Sequence, residues 1–232
     1  MSLILSEHDF NKTIDVPPDG VRLDGDLDTP RLEEALKNDK RIDKILIPES
    51  CILKRISRLA PEILRDYKNT DSIDIVAVLT GAVLFASDLS RLLYTAGGIN
   101  TNLHFVKTSV YEKEIKKDNE EQREVRILMP AGDIAQKDIL VIEDIVDQGF
   151  TLSWLTEYFR HEKKANSVRI CALLDKKLDK PTPNVKQIRE KLHIDYSGFS
   201  IPDRWISGYG IDTAGHFRNM PFIITVNEEY YR

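Results

Sequence analysis

Glu143, Asp144 and Asp147 put three carboxylates within five residues, in the run Val141-Ile142-Glu143-Asp144-Ile145-Val146-Asp147-Gln148-Gly149-Phe150-Thr151. The run starts as an apolar strand and ends with Gly149 and Thr151 opening a helix. A helix N-terminus offers free N–H groups, and a glycine lets backbone approach a ligand closely. Such a turn can seat a phosphate, with the Thr151 hydroxyl as a further donor. Acids beside a phosphate repel it unless they face something else, and sugar hydroxyls and Mg²⁺ are the natural partners. On spacing alone two readings stand. One is a seat for a sugar phosphate with a metal; the other is a strand end whose acids cap the next helix.

The elements that must position this run can be read from periodicity. Apolar, β-branched runs at 73–79 (IDIVAVL) and 168–174 (VRICALL) suit strands covered on both faces, as in parallel sheets. Further strands are expected at 44–48, 101–108, 125–129 and 138–142, with short ones near 194–198, 205–210 and 222–226. Helices are expected at 31–38, from Ser50 as cap to about Lys68, from Gly81 to about Tyr94, and at 150–162. Ile52, Ile56, Leu59, Ile63 and Tyr67 share one helix face, as do Leu152, Leu155 and Phe159. Pro61 is expected to kink or split its helix. Strand, turn, helix, strand recurs, which is the signature of βαβ units. In such sheets ligands bind beyond the carboxyl ends of the strands, so Leu79–Ala82 and Glu143–Thr151 are the places to search.

Composition narrows the classes. The 232 residues are 41% apolar and 31% charged, as in a globular domain. No apolar run approaches the roughly 20 residues of a membrane span. The opening MSLILSEHDF lacks a basic segment and a long apolar segment, so no signal peptide is expected. Cys51 and Cys171 lie far apart, which fits a reducing, cytoplasmic setting without a disulfide framework. Residues 1–30 hold seven acids and two bases, which equals the whole net charge of −5. The remaining body is neutral and does not suit sequence-independent nucleic-acid binding. Residues 1–43 read as an acidic extension, a loose arm or a wrapping segment that is partly ordered at best. The Asp24–Asp28 run fails the calcium-loop pattern, with Ala35 where a bidentate Glu belongs. Gly208-Tyr209-Gly210 lacks the third glycine of a dinucleotide fingerprint, and five scattered histidines give no zinc pattern.

The run at 141–151 resembles the phosphoribosyl-pyrophosphate signature of the type I phosphoribosyltransferases. Three further segments are similar to the 6-oxopurine branch of that family, the hypoxanthine-guanine phosphoribosyltransferases. KILIPESCILKRISRLA (44–60) resembles its opening strand and helix, VLTGAVLF (78–85) its pyrophosphate loop, and IPDRWISGYGIDTAGHFRNMPFI (201–223) its base-binding segment. The likeness spans roughly residues 44–227. It implies an α/β fold with a mainly parallel twisted sheet flanked by helices. The core would span about 70–180, and a small hood from 44–50 and about 181–232 would cover the carboxyl ends of the strands.

The resemblance also implies a reaction and a cast. A purine displaces pyrophosphate from C1 of phosphoribosyl pyrophosphate through an oxocarbenium-like transition state. Glu143 and Asp144 match the acids that meet the ribose hydroxyls with Mg²⁺ nearby, and Asp147 matches the general base at purine N7. The turn Asp147, Gln148, Gly149, Phe150 and Thr151 matches the 5′-phosphate cradle. Gln148 stands where Thr is usual and Phe150 where a Lys or a small or polar residue is common. Leu79, Thr80 and Gly81 match a Leu-Lys-Gly loop whose non-proline cis peptide turns an N–H toward pyrophosphate; Thr80 removes the common lysine. Ser109, Val110 and Tyr111 resemble a lid, with Val110 in place of Ser, followed by a charged flap at 111–125. Lys176 matches the donor to O6, Trp205 the stacking aromatic and Ile206 the backbone reader of the base edge. Asp212 matches the second metal-binding acid and Arg218 a pyrophosphate contact. The family is dimeric or tetrameric, so a homodimer or homotetramer with small-molecule substrates is expected. A xanthine-accepting enzyme and a non-catalytic nucleotide-sensing regulator are the alternatives on the same fold.

Overall fold

The computed structural model describes residues 2–112 and 123–230. Among them the strands are β1 (Leu3–Leu5), β2 (Ile14–Asp15), β3 (Val21–Leu23), β4 (Ile42–Ile47), β5 (Ser72–Leu79), β6 (Asn100–Glu112), β7 (Arg123–Met129), β8 (Asp138–Val146), β9 (Ser167–Lys176), β10 (Tyr196–Ile201), β11 (Ile206–Ser207) and β12 (Ile223–Val226). The helices are α1 (Asp28–Leu36), α2 (Glu49–Asp66), α3 (Val83–Gly97), α4 (Phe150–Glu157, continued by a π turn to Glu162) and α5 (Pro183–Lys191).

The main sheet has the order β2-β10-β9-β8-β5-β6-β7. Every pair is parallel except β6 with β7. The continuous apolar runs take the buried places that parallel sheets demand. In β5, Ile75 and Ala77 join the core beneath α2 and α3, while Val76 and Val78 join the core beneath α4. Chain order reverses between β5 and β8. From β5 the chain crosses through α3 to β6 on one side; from β8 it crosses through α4 to β9 on the other. That switch point opens a crevice at the carboxyl ends of the two strands. An antiparallel sheet of β11, β12 and β4 stands over it as the hood. No described helix is long and apolar enough to cross a membrane.

Five expectations are corrected. The leader is packed, not loose. Phe10 is fully buried, Leu5, Ile14, Val16 and Val21 join the main core, and β2 adds a strand beside β10. Arg55, inside the apolar stripe of α2, ties it down by donating to the carbonyls of Phe10 (2.8 Å) and Ser197 (2.9 Å) while pairing with Glu62. Helix α2 runs unbroken through Pro61, which lies on its exposed face, where water can reach the carbonyl that loses its bond. Its cap is Pro48, with Ser50 inside the first turn. Helix α5 was not anticipated, although Thr182-Pro183 carries its start signal: Thr182 Oγ1 accepts from Val185 N–H, and proline opens the helix. The hood boundary expected near 181 moves to Ile201, because α5 packs on α4 and β10 belongs to the main sheet. Both α-helical stripes read from the sequence, on α2 and α4, are buried.

Phe10→Ala is expected to cost about 3–5 kcal/mol, the range for emptying a fully buried aromatic site. Thermal or urea unfolding checks this, and a change under 1 kcal/mol would show that the leader is dispensable to the fold.

Candidate active site

The carboxyl end of β8 carries the acids. Glu143 is buried and Asp144 partly buried, and loss of hydration pushes both carboxyls above their ordinary range. The neighbouring Asp144 charge raises Glu143 further. Local backbone anchors them: Asp144 N–H donates to Glu143 Oε1 (3.3 Å) and Ile145 N–H to Asp144 Oδ1 (2.7 Å). Two crowded, dry carboxylates call for a positive or hydroxylic partner.

Beyond Val146 the chain turns through Asp147 and Gln148 to Gly149, whose left-handed φ of 84° starts α4 at Phe150. A cavity of about 410 Å³ opens there, lined by every residue from Ile145 to Leu152 together with Glu143, Val78 and Thr108. The expected cradle, Asp147 to Thr151, is therefore one wall of one cavity at the switch point. Gln148 buries Oε1 without a partner in it, and rotation of the amide would present its donor instead.

Leu79-Thr80 is a cis peptide, as the resemblance implied. The next residue, Gly81, has no room for a side chain, because a Cβ there would lie 1.6 Å from Asp144 Oδ2. From the hood, Gly210 presses on the same loop: its Cβ would lie 2.0 Å from the Gly81 carbonyl oxygen. Arg218 donates to the Gly210 carbonyl and pairs with Asp212, which also accepts from Gly215 N–H (2.9 Å). The positive charge of Arg218 also favours the Asp144 carboxylate, although burial wins there. Tyr209 Oη donates to Asp88 of α3 and locks hood to core.

Lys176 ends β9 with its side chain 11% exposed, and its Nζ lies 3.2 Å from Asp147 Oδ2 and 4.0 Å from Asp203 Oδ1. Lys177 turns the other way, to Asp15 of the leader (2.7 Å). Of the two adjacent lysines, Lys176 is therefore the one paired with Asp147, which lines the cavity. Trp205 stands 41% exposed after β10, and Ile206 is buried in β11 with its backbone paired to Thr225 of β12. Ser109, Val110 and Tyr111 are strand residues of β6 laddered to β7; of the charged flap expected at 111–125 the ends belong to these strands, and 113–122 lie outside the described residues. Antiparallel pairing with β7 carries β6 past the expected end at 108. Cys171 is inert: it is fully buried and burial pushes its thiol up.

No group of three or more His, Cys, Asp or Glu side chains forms a metal cage among the described residues. The donors present, Glu143, Asp144 and Asp212, are all carboxylates. They fit Mg²⁺, which is held by one or two carboxylates plus substrate phosphates rather than by an all-protein cage. Sequence reasoning assigned no role to Asp203, Arg189 or Gly210. Arg189 could have been found through the Thr-Pro start of α5, whereas Gly210 has no signal short of the fold.

Comparison with known proteins agrees with this geometry. The profile of the phosphoribosyl transferase domain matches residues 47–214. A hypoxanthine-guanine phosphoribosyltransferase of Dictyostelium discoideum is 34% identical over 190 residues, 82% of this chain and 98% of that protein. One from Bacillus subtilis is 35% identical over 197 residues, covering 84% and 98%. Among solved structures, a hypoxanthine-guanine phosphoribosyltransferase of Bacillus anthracis superposes with TM-score 0.66 at 32% identity, covering 81% of this chain and 98% of that one. A hypoxanthine phosphoribosyltransferase of Trypanosoma cruzi, in a ternary substrate complex, gives 0.70 at 27% identity, covering 83% and 99%. With the matched profile running from the hood strand β4 to the acid beside Arg218, this chain belongs to the phosphoribosyltransferase family.

Proposed function

We propose that the chain transfers the 5-phosphoribosyl group of phosphoribosyl pyrophosphate to N9 of hypoxanthine or guanine, giving IMP or GMP and pyrophosphate. One observation carries the reading: Lys176 Nζ lies 3.2 Å from Oδ2 of Asp147, which lines the cavity. A 6-oxopurine presents O6 and N7 side by side on one edge, both as acceptors once N7 has lost its proton. Inserted between the two side chains, that edge receives a donor at O6 from Lys176. Asp147 takes the N7 proton as N9 attacks C1, and its charge favours the positive ribose ring. Adenine offers an amino group at position 6, which cannot accept from lysine.

The other roles follow from place. Asp147 to Thr151 hold the 5′-phosphate at the start of α4. Leu79 to Gly81 and Arg218 hold pyrophosphate. Glu143 and Asp144 meet the ribose hydroxyls and would hold Mg²⁺ there, and Asp212 would hold Mg²⁺ at a second place, each with substrate oxygens; the ion supplies charge that stabilises the leaving pyrophosphate. Trp205 stacks on the purine and Ile206 reads its edge through backbone. Ser109, Val110 and Tyr111 lie where a lid would exclude water from the activated ribose. A homodimer or homotetramer in the cytoplasm completes the reading. The exposed Leu103, Phe105, Leu128 and Met129 on the neighbouring strands β6 and β7 support it.

The test is a Mg²⁺-dependent assay with guanine, hypoxanthine, xanthine and adenine side by side. Turnover of the first two with adenine inert is expected, whereas adenine turnover would remove Lys176 as the O6 donor. Trp205→Ala should weaken IMP or GMP binding by about 1–3 kcal/mol, the worth of one base–aromatic stack. Unchanged nucleotide affinity by calorimetry would contradict the stacking role.

A further inference from the structure

Helix α5 lies against the phosphate turn from behind. A Cβ on Gly149 would meet Arg189 Cδ and Leu192 Cδ2 at 3.2 Å and Ile188 Cγ2 at 3.4 Å, so α5 and the turn are in close contact. The guanidinium of Arg189 then reaches the end of β9. Its Nη2 donates to Asp175 and to the Lys176 carbonyl (3.3 Å). Lys176 in turn reaches back to Asp147 at the head of the same turn. The contacts close a ring: Asp147, Gly149, Arg189, Asp175 with Lys176, and Asp147 again. The Arg189 side chain is 21% exposed and Asp175 29%, so the pair is partly shielded from water.

We propose that Arg189 is a positioning residue that sets the distance between the 5′-phosphate seat and the lysine at purine O6. This rests on the reading of Lys176 and the 147–151 turn given above. The two seats grip opposite ends of a nucleotide and belong to different βα units, β8–α4 and β9–α5. The ladder between β8 and β9 ends at Val146 and Asp175, so strand pairing does not hold Lys176 to the turn that follows Val146. Arg189 joins the two units by packing its aliphatic stem on Gly149 and holding the β9 terminus with its charged head. A planar guanidinium can hold a carboxylate and a carbonyl at once in fixed geometry, which an ammonium does less well. Misplacement by a fraction of an ångström at such a joint is felt in binding and turnover together.

The experiment is steady-state kinetics on the full chain with Arg189→Met, Asp175→Asn and the double variant, alongside thermal melting. Methionine keeps an apolar stem against Gly149 and removes the head. The KM for the purine should rise about tenfold, while the KM for phosphoribosyl pyrophosphate should stay within about twofold. Asp175→Asn should give the same split, and the double variant should add little to either single one. Arg189→Lys should recover part of the loss, which keeps the test decisive if the Met variant folds poorly. An unchanged purine KM, or both KM values rising together with a lowered melting temperature, overturns the proposal. A wild-type chain inert with every purine would sink the reading of the site and this proposal with it. An active wild type without the split sinks the proposal alone.

Discussion

Asp147→Asn should lower turnover by about 10²–10⁴-fold, the usual worth of a positioned proton acceptor. The amide keeps the shape of the side chain and can still meet N7, but it cannot take a proton or offset positive charge on the ribose. Asp147 sits half exposed at a turn, with its side chain 51% accessible, so the fold should not depend on its charge. Binding of phosphoribosyl pyrophosphate should survive, because the cradle's backbone donors at Gly149 to Thr151 are unaltered. The variant should therefore bind that substrate by calorimetry and make IMP or GMP very slowly. Near-normal turnover would remove Asp147 as the base.

Gly210→Ala should damage both stability and activity. The added methyl would lie 2.0 Å from the Gly81 carbonyl oxygen and 3.1 Å from its carbon, backbone against backbone, so no flexible side-chain tip can yield. Gly210 also holds φ at 101°, where a Cβ is strained, at a cost of about 1–3 kcal/mol. Overpacking adds about 1–3 kcal/mol. Relief has two directions. The hood can lift, carrying Asp212 and Arg218 away, or the Leu79–Gly81 loop can move onto Asp144, which already fills the space behind Gly81. Either breaks the proposed pyrophosphate seat, so activity should fall by about a hundredfold or more. The melting temperature should drop by roughly 2–4 °C for each kcal/mol lost. Wild-type activity with an unchanged melting point would refute the contact.

The turn between β8 and α4 is legible in the sequence because its information is local. A β-branched strand, acids at its end and a glycine before a helix specify one turn whatever surrounds it. The stripe on α2 was legible for the same reason: burial of Ile52, Ile56, Leu59, Ile63 and Tyr67 follows from helical period alone. Acid content left the leader open between a loose arm and a wrapping segment, and packing decides for the second. Its few apolar residues, Phe10 above all, fall where Arg55 and the open edge of β10 can use them. Pro61 was misjudged because propensity ignores which face of a helix meets water. Lys176 is named from the resemblance alone, because a dipeptide does not say which way each lysine points. That depends on the side to which the last residue of β9 points, and on Asp15 standing on the other side.

By itself, then, the chain's order of residues determined a mainly parallel α/β sheet, the place of the turn between β8 and α4 and the types of its acids, because strand period and turn chemistry act over a few residues. Only the tertiary structure decided what comes together across long separations: Asp147 with Lys176, Gly81 with Gly210, and Gly149 with Arg189. Those contacts arise where separate βα units and the hood meet, and their distances are set by packing of the whole sheet, which no local pattern encodes.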